Sequence, residues 1–230
     1  MRPLRRCVAP ALILCLIAAC AGDDDAAEPA SDTTTTAAAE TLALDALGAA
    51  TFDAHGSVEQ VWLIGAEPGA ELRLVDADAV VVATAAADAQ GSLIFRDVPP
   101  ADYRVAAVDT VSDAVTVAAP DDHPDAAFYA AQDIVPGYGY LETRDGTLLA
   151  INVTLPGPPE AGPYPTVIEY SVYSPADPDS PQPSTLITST LGFATVGINL
   201  RGTGCSGGAY DYFEPLQSTD GYDAIETIAA

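Results

Sequence analysis

Lysine is missing altogether from the 230 residues, and 8 arginines stand against 33 acidic side chains, a formal charge of −25. Binding to a phosphate backbone draws on clustered Lys or Arg that release counterions, and docking on an anionic membrane needs the same cluster. Neither nucleic acid nor electrostatic membrane attachment is an expected partner. Histidine occurs only at 55 and 123, and tryptophan only at 62. Of 4 cysteines, Cys7, Cys15 and Cys20 crowd into the N-terminal end and Cys205 stands alone. A disulfide-framed small domain is therefore excluded. Against these scarcities, 49% of the chain is hydrophobic, enough for a true core in one large or two modest domains.

The first residues read as an address. Arg2, Arg5 and Arg6 precede an almost purely apolar run over 8–19, and Cys20 opens an acidic stretch beginning at Asp23. The apolar run is too short for a transmembrane helix, which needs about 20 residues, and fits a signal peptide. Ile17-Ala18-Ala19-Cys20 resembles a bacterial lipobox, which implies cleavage before Cys20 and acylation of its sulfur. The expected product is an exported lipoprotein, held at the cell surface or envelope by its acyl chains. The alternative is ordinary secretion with a chance cysteine. Residues 20–55 are rich in Ala, Asp, Glu and Thr, and are expected to form a disordered tether, since such a composition buries too little to offset its ordering entropy.

Between 56 and 119 the apolar residues come in short runs, over 58–64, 71–75, 79–85, 92–95, 103–108 and 114–117, separated by turn residues such as Glu67-Pro68-Gly69 and Pro99-Pro100. Leu72 and Leu74 alternate with Glu71 and Arg73, the pattern of a half-buried strand. The spacing predicts a small all-β sandwich. The stretch 91–105 resembles the end of Ig-like or prealbumin-like modules, a likeness of architecture that says little about function. Trp62 is read as a core residue, with a ligand platform as the alternative. Residues 120–136, opening with Pro120-Asp121-Asp122-His123-Pro124, are expected to be a linker.

From 137 the pattern changes. Runs over 138–144 and 147–155 flank Asp145-Gly146, the signature of a two-residue type I′ hairpin. A β-branched strand over 166–170, a Pro-rich loop, a short helix over 184–191, a buried strand over 194–200 and a helix starting near Ser218 or Thr219 follow. The apolar face of that last helix is expected at Tyr222, Ile225, Ile228 and Ala229. Strands alternating with helices indicate an α/β sheet.

Three blocks, LETRDGTLLAINVTLPG (141–157), YPTVIEYSVYSPADP (164–178) and NLRGTGCSGGAYDYFEPLQSTDGYDAIETIA (199–229), look like the start of the α/β-hydrolase domain of the Xaa-Pro dipeptidyl-peptidase, cocaine esterase and acyl hydrolase group. The resemblance implies a serine hydrolase that cleaves ester or amide bonds of a small acyl ester or peptide by acyl transfer to serine, without metal or cofactor. It also implies an oxyanion hole that includes a tyrosine hydroxyl on the loop after the third strand. Tyr173 is the matching position, with Tyr170 as competitor, and the other reading of Tyr173 is packing beneath the Pro-rich loop.

Gly204-Cys205-Ser206-Gly207-Gly208 satisfies G-x-S-x-G literally. A nucleophile elbow, however, needs strand, one sharp turn and helix at once, whereas here glycines surround the serine and Pro215 stands before the next helix. Ser206 is read as part of a structural turn. Cys205 is not a candidate nucleophile either, because only Arg201 is near enough in sequence to lower its pKa. His55 and His123 precede the hydrolase-like segment, so chain order excludes them from a Ser, Asp, His sequence, and they are read as linker or surface residues. The chain stops at Ala230, before a fifth strand. The expectation is thus an N-terminal portion, over 137–230, of an incomplete α/β-hydrolase sheet lacking nucleophile, acid and base, inactive as it stands and preceded by a β-sandwich. The competing reading is a cell-surface binding or spacer lipoprotein in which the β module is the functional part.

Overall fold

The computed structural model describes residues 40–180 and 183–230. Cys20 and the signal-peptide segment lie outside the described residues. Among the described residues thirteen strands and three α-helices follow one another: β1 (Gly48–Ala49), β2 (Asp53–Gly56), β3 (Gln60–Ile64), β4 (Glu71–Val75), β5 (Val81–Ala86), β6 (Leu93–Arg96), β7 (Ala101–Ala106), β8 (Thr110–Val111), β9 (Val115–Val117), α1 (Ala126–Ala130), β10 (Gly137–Glu142), β11 (Leu148–Thr154), β12 (Thr166–Ser171), α2 (Pro183–Thr190), β13 (Ala194–Asn199) and α3 (Leu216–Ala229). Among the described residues no helix is long and apolar enough to cross a membrane.

The first nine strands make two sheets. One runs β1-β8-β7-β4-β5, with β9 paired to β7, and the other runs β2-β3-β6. Alternation places Leu72, Leu74, Val61, Leu63, Phe95 and Val105 in a shared core. Each such side chain, removed from water, contributes roughly 1.5–3 kcal/mol. The module starts earlier than composition suggests. Residues 40–55, assigned above to the tether, supply β1, which pairs in parallel with β8, and Phe52, which is buried in the core. A Thr41–Val80 bridge and a hydrogen bond from Val81 N–H to Glu40 O tie their beginning to β5. Alanine-rich segments read as tether when viewed alone, yet a single Phe and backbone pairing suffice to order this one.

Residues 120–136 are also more than a linker. They carry α1, whose buried Tyr129 donates a hydrogen bond to Asp223 of α3 at 2.8 Å.

The remaining strands form a mixed sheet in the order β10-β11-β13-β12. β11 lies antiparallel to its two neighbours, β10 and β13, and β12 lies parallel to β13. Parallel neighbours need a crossover, and α2 provides it. Every residue of β13 is buried, as expected of a strand covered on both faces. Leu141, Leu149, Ile151, Val196, Ile198 and Ala224 form the second core.

Two local expectations change. The β10–β11 hairpin closes with Glu142 opposite Leu148, and Thr143 N–H bonds Thr147 O while Gly146 N–H bonds Thr143 O. This is a three-residue loop with a left-handed glycine (Gly146, φ 81°), not a two-residue type I′ turn. It leaves Arg144 and Asp145 at the loop tip, where their side chains reach α3 and residue 201.

Helix α3 turns a different face inward. Thr219, Asp220, Asp223, Ala224 and Thr227 are buried, while Tyr222 is 41% and Ile225 55% exposed. Ile228, expected on the inward face, packs against the second core, but Tyr222, Ile225 and Ala229 do not, because the buried stripe includes two aspartates that find buried guanidinium partners, which offset the cost of their desolvation.

Candidate active-site region

The loop that follows β13 is held by charge. Arg201 sits 4% exposed between two carboxylates. Its Nε donates to Asp220 Oδ2 at 2.9 Å and its Nη2 to Asp220 Oδ1 at 2.6 Å. Its Nη1 donates to Asp145 Oδ2 at 2.9 Å and to Thr147 Oγ1 at 2.6 Å. One guanidinium thus joins the β10–β11 loop, the loop after β13, and α3. Only arginine offers this planar fork of donors.

Burial alone would raise the Asp145 carboxyl, but the charge and hydrogen bonds of Arg201, with hydroxyl donors from Ser57 and Thr143, outweigh it and hold the group at about 2. Asp220 goes the other way. Burial, with added repulsion from Asp145 and Asp223, outweighs its Arg201 bonds and pushes it up to about 6. A second pair, Arg144 with Asp223 at 2.9 Å, is also buried, and Arg144 Nη1 further donates to the carbonyls of Pro120 and Asp122.

The β module meets this assembly through side chains. Ser57 donates to Asp145, Gln60 donates to the buried Glu214, and Arg96 Nε donates to Glu214 at 3.2 Å.

Ser206 lies where a literal motif search would place a nucleophile, and the structure commits its hydroxyl elsewhere. Oγ donates to Asn199 O at 2.8 Å and accepts the N–H of Ala150 at 2.9 Å. Gly207 N–H bonds Leu148 O at 2.8 Å, and Gly202 N–H bonds Gly207 O at 2.8 Å. The glycine-rich stretch is therefore stitched to the ends of β11 and β13. Gly204 must be glycine here: its φ is 54°, and a Cβ would lie 2.2 Å from Asn199 Nδ2. Cys205 is an exposed free thiol.

Tyr173 lies just past the carboxyl end of β12, 78% exposed, with its N–H bonded to Ser171 Oγ at 3.3 Å. Tyr170 points instead toward α3, with its ring 3.5 Å from where a Cβ on Gly221 would stand. Its hydroxyl is buried with no hydrogen-bond partner among the described residues, and burial, followed by the charge of Asp220, raises its pKa. A phenol closed in this way cannot reach a substrate carbonyl. Ligands of open sheets with parallel strands gather outside the carboxyl ends of the strands, and that edge carries Tyr173, Asn199 and the glycine-rich loop. Asn199 Oδ1 accepts the N–H of Ala176 at 3.0 Å, and a Cβ on Gly197 would lie 2.0 Å from Pro175 O. The Tyr173 loop is seated on the end of β13 by these contacts, which sequence reasoning did not single out.

His55 and His123 are both exposed, but His55 belongs to β2, where its ring stacks on Trp62 at 4.1 Å. Trp62 is half-buried on the outward face of β3 and is not a member of the sandwich core. Residue 62 faces outward because Val61 and Leu63 take the inward positions. Among the described residues no group of three or more His, Cys, Asp or Glu side chains could hold a metal ion.

A mixed sheet with a crossover helix carries a tightly laced glycine-rich loop at its carboxyl edge. Residues 145–230 match the family model of the X-Pro dipeptidyl-peptidase (S15 family), a match that supports an S15-like hydrolase region in this segment. Among solved structures the chain is similar to an aminopeptidase from the marine sediment archaeon Thaumarchaeota archaeon, at 22% identity and a TM-score of 0.32. That likeness covers 41% of this chain and 20% of the other, so the chain spans about a fifth of the length of that protein. No curated protein matches the chain.

Proposed function

We propose that this polypeptide contributes the opening of the catalytic domain of an exported, lipid-anchored serine hydrolase acting on ester or amide bonds. The observation that carries the reading is the strand order β10-β11-β13-β12, with β12 and β13 parallel, built from residues that match a hydrolase family model. Such an order suits the first half of an α/β-hydrolase sheet. Export and anchoring rest on the apolar run ahead of Cys20 and its lipobox-like residues.

In this chemistry a serine oxygen attacks the carbonyl carbon, the alcohol or amine leaves with a proton, and water then releases the acid and restores the serine. Tyr173 is the residue of this segment suited to the reaction. Its exposed phenol, beyond the carboxyl end of β12, can donate to the oxygen that becomes negative as the carbonyl is attacked. Ser206 is not the nucleophile, since its proton is committed to Asn199 O and its lone pair to Ala150 N–H.

A fluorophosphonate probe tests both assignments. The 230-residue protein is expected to show no labelling at Ser206, and p-nitrophenyl acetate turnover is expected to be the same in Ser206→Ala. In any active form of the protein, Tyr173→Phe is expected to lower kcat about 100-fold with KM little changed, in line with loss of one oxyanion donor. Labelling of Ser206, or full activity of Tyr173→Phe, would refute the corresponding role.

A further inference from the structure

From Val61 to Ile64, strand β3 is apolar on both faces. Val61 and Leu63 enter the core, whereas Trp62 and Ile64 point outward, and Ile94 of β6 stands beside Trp62 on that same outer face. An antiparallel sheet of this kind ordinarily turns a polar face away from its core. The glycine-rich loop covers this face only in part. Between it and the backbone of Gly208 and Ala209 lies a cleft of about 240 Å³, walled by Trp62, Ile64, Leu93 and Ile94.

We propose that this cleft binds an uncharged small molecule through one ring-sized apolar group. The walls fix the chemistry. Arg201 is the one charged residue lining the cleft, and its guanidinium is taken up by Asp145, Asp220 and Thr147. An anion therefore meets a neutralised cation on a protein of formal charge −25, and a cation meets no carboxylate in the lining. The volume sets the size. A cavity of about 150 Å³ lined by Leu, Ile and Phe takes up benzene, so this one admits a ring with a short substituent and excludes a peptide segment. Gln60 and Ser92 are the uncharged polar residues of the lining, beside which such a substituent would sit. The inference goes beyond hydrolysis and does not depend on it.

Trp62 is the only tryptophan of the chain and lines the cleft, so its fluorescence reads occupancy directly. The 230-residue protein is titrated with cyclohexanol and, separately, with cyclohexanecarboxylate. Cyclohexanol is expected to give a saturable change in Trp62 emission, and the carboxylate at least a tenfold weaker one. Ala209→Leu, which fills the cleft, and Ile64→Ser, which removes an outer wall at a position 47% exposed and away from the core, are each expected to weaken cyclohexanol binding at least fivefold without moving the melting temperature by more than a few degrees. A linear, non-saturating response, equal binding of the carboxylate, or indifference to both substitutions overturns the proposal. So does an indole shielded from acrylamide in the ligand-free protein, which would mean that another part of the chain or a second copy already fills the cleft. Because the readout is not catalytic, its failure leaves the hydrolase reading untouched.

Discussion

Arg201 grips Asp220 through two parallel hydrogen bonds, at 2.9 and 2.6 Å, and the same guanidinium reaches Asp145 on a loop 56 residues earlier in the chain. The glycine-rich loop, the β10–β11 hairpin and α3 thus share one cation. Removing it leaves two buried carboxylates without their countercharge, Asp145 keeping only the hydroxyls of Ser57 and Thr143 and the N–H of Thr147.

Arg201→Met is therefore expected to destabilise the protein by about 3–5 kcal/mol, the cost typical of leaving buried partners uncompensated. Arg201→Lys should recover only part of this, since an ammonium cannot serve Asp145 and Asp220 with paired donors. Urea denaturation followed by circular dichroism measures both. A loss below about 1 kcal/mol for Arg201→Met would count against the network as a brace.

The two carboxylates give the network opposite pH dependences. Asp220, raised to about 6 when folded, contributes stability that is fully present below about pH 4 and lost as pH rises through about 6. Asp145, held at about 2, contributes stability that is present above about pH 4 and lost as pH falls through about 2. Together they place the network's best pH near 4. Unfolding free energy measured from pH 4 to 8 should fall by on the order of 2 kcal/mol through the Asp220 window, and Asp220→Asn should flatten that limb.

Ser206→Ala removes the acceptor for Ala150 N–H and the donor to Asn199 O. The expected cost is about 1–3 kcal/mol, the penalty for an unsatisfied buried amide. Faster hydrogen exchange at Ala150 should accompany it. An unchanged exchange rate would show that the loop is anchored by its backbone bonds alone.

Glu214→Ala should loosen the β module from the hydrolase-like region, because Gln60 and Arg96 both donate to that carboxylate. We expect a loss of about 1–3 kcal/mol. An excised module, residues 40–119, should unfold at lower urea than it does within the full chain, since the outward face at Trp62 and Ile94 loses the partial cover of Gly208 and Ala209. Equal midpoints would make the module an independent spacer.

Much of the local structure was legible before any coordinates. The alternation in Glu71–Val75 marks β4, the β-branched run at 166–170 marks β12, and the helix expected over 184–191 is α2, at Pro183–Thr190. The turn-like nature of the Ser206 loop was also readable, from its glycines and the distance to the next helix. What failed has two causes. The outward aim of Trp62 and the three-residue loop at Arg144–Asp145–Gly146 are set by register, through Val61 and Leu63 turned inward and the Thr143–Thr147 pairing, whereas the inward face of α3 and the fold of 40–55 depend on partners far away in sequence. A hydrophobic period cannot reveal that an aspartate will be buried when its cation sits on another loop.

By itself, the amino-acid order determined the alternation of apolar and polar positions, the punctuation by glycine and proline, the acidic charge and the likeness to a hydrolase family, because these rest on chemistry within a few residues or on whole motifs. Tertiary structure alone decided where the charges go: Arg201 between Asp145 and Asp220, Arg144 on Asp223, Glu214 under Gln60 and Arg96. Burying an ion is favourable only when its counterion arrives at bonding distance, and that condition is met by the folded chain, not by any stretch of its sequence.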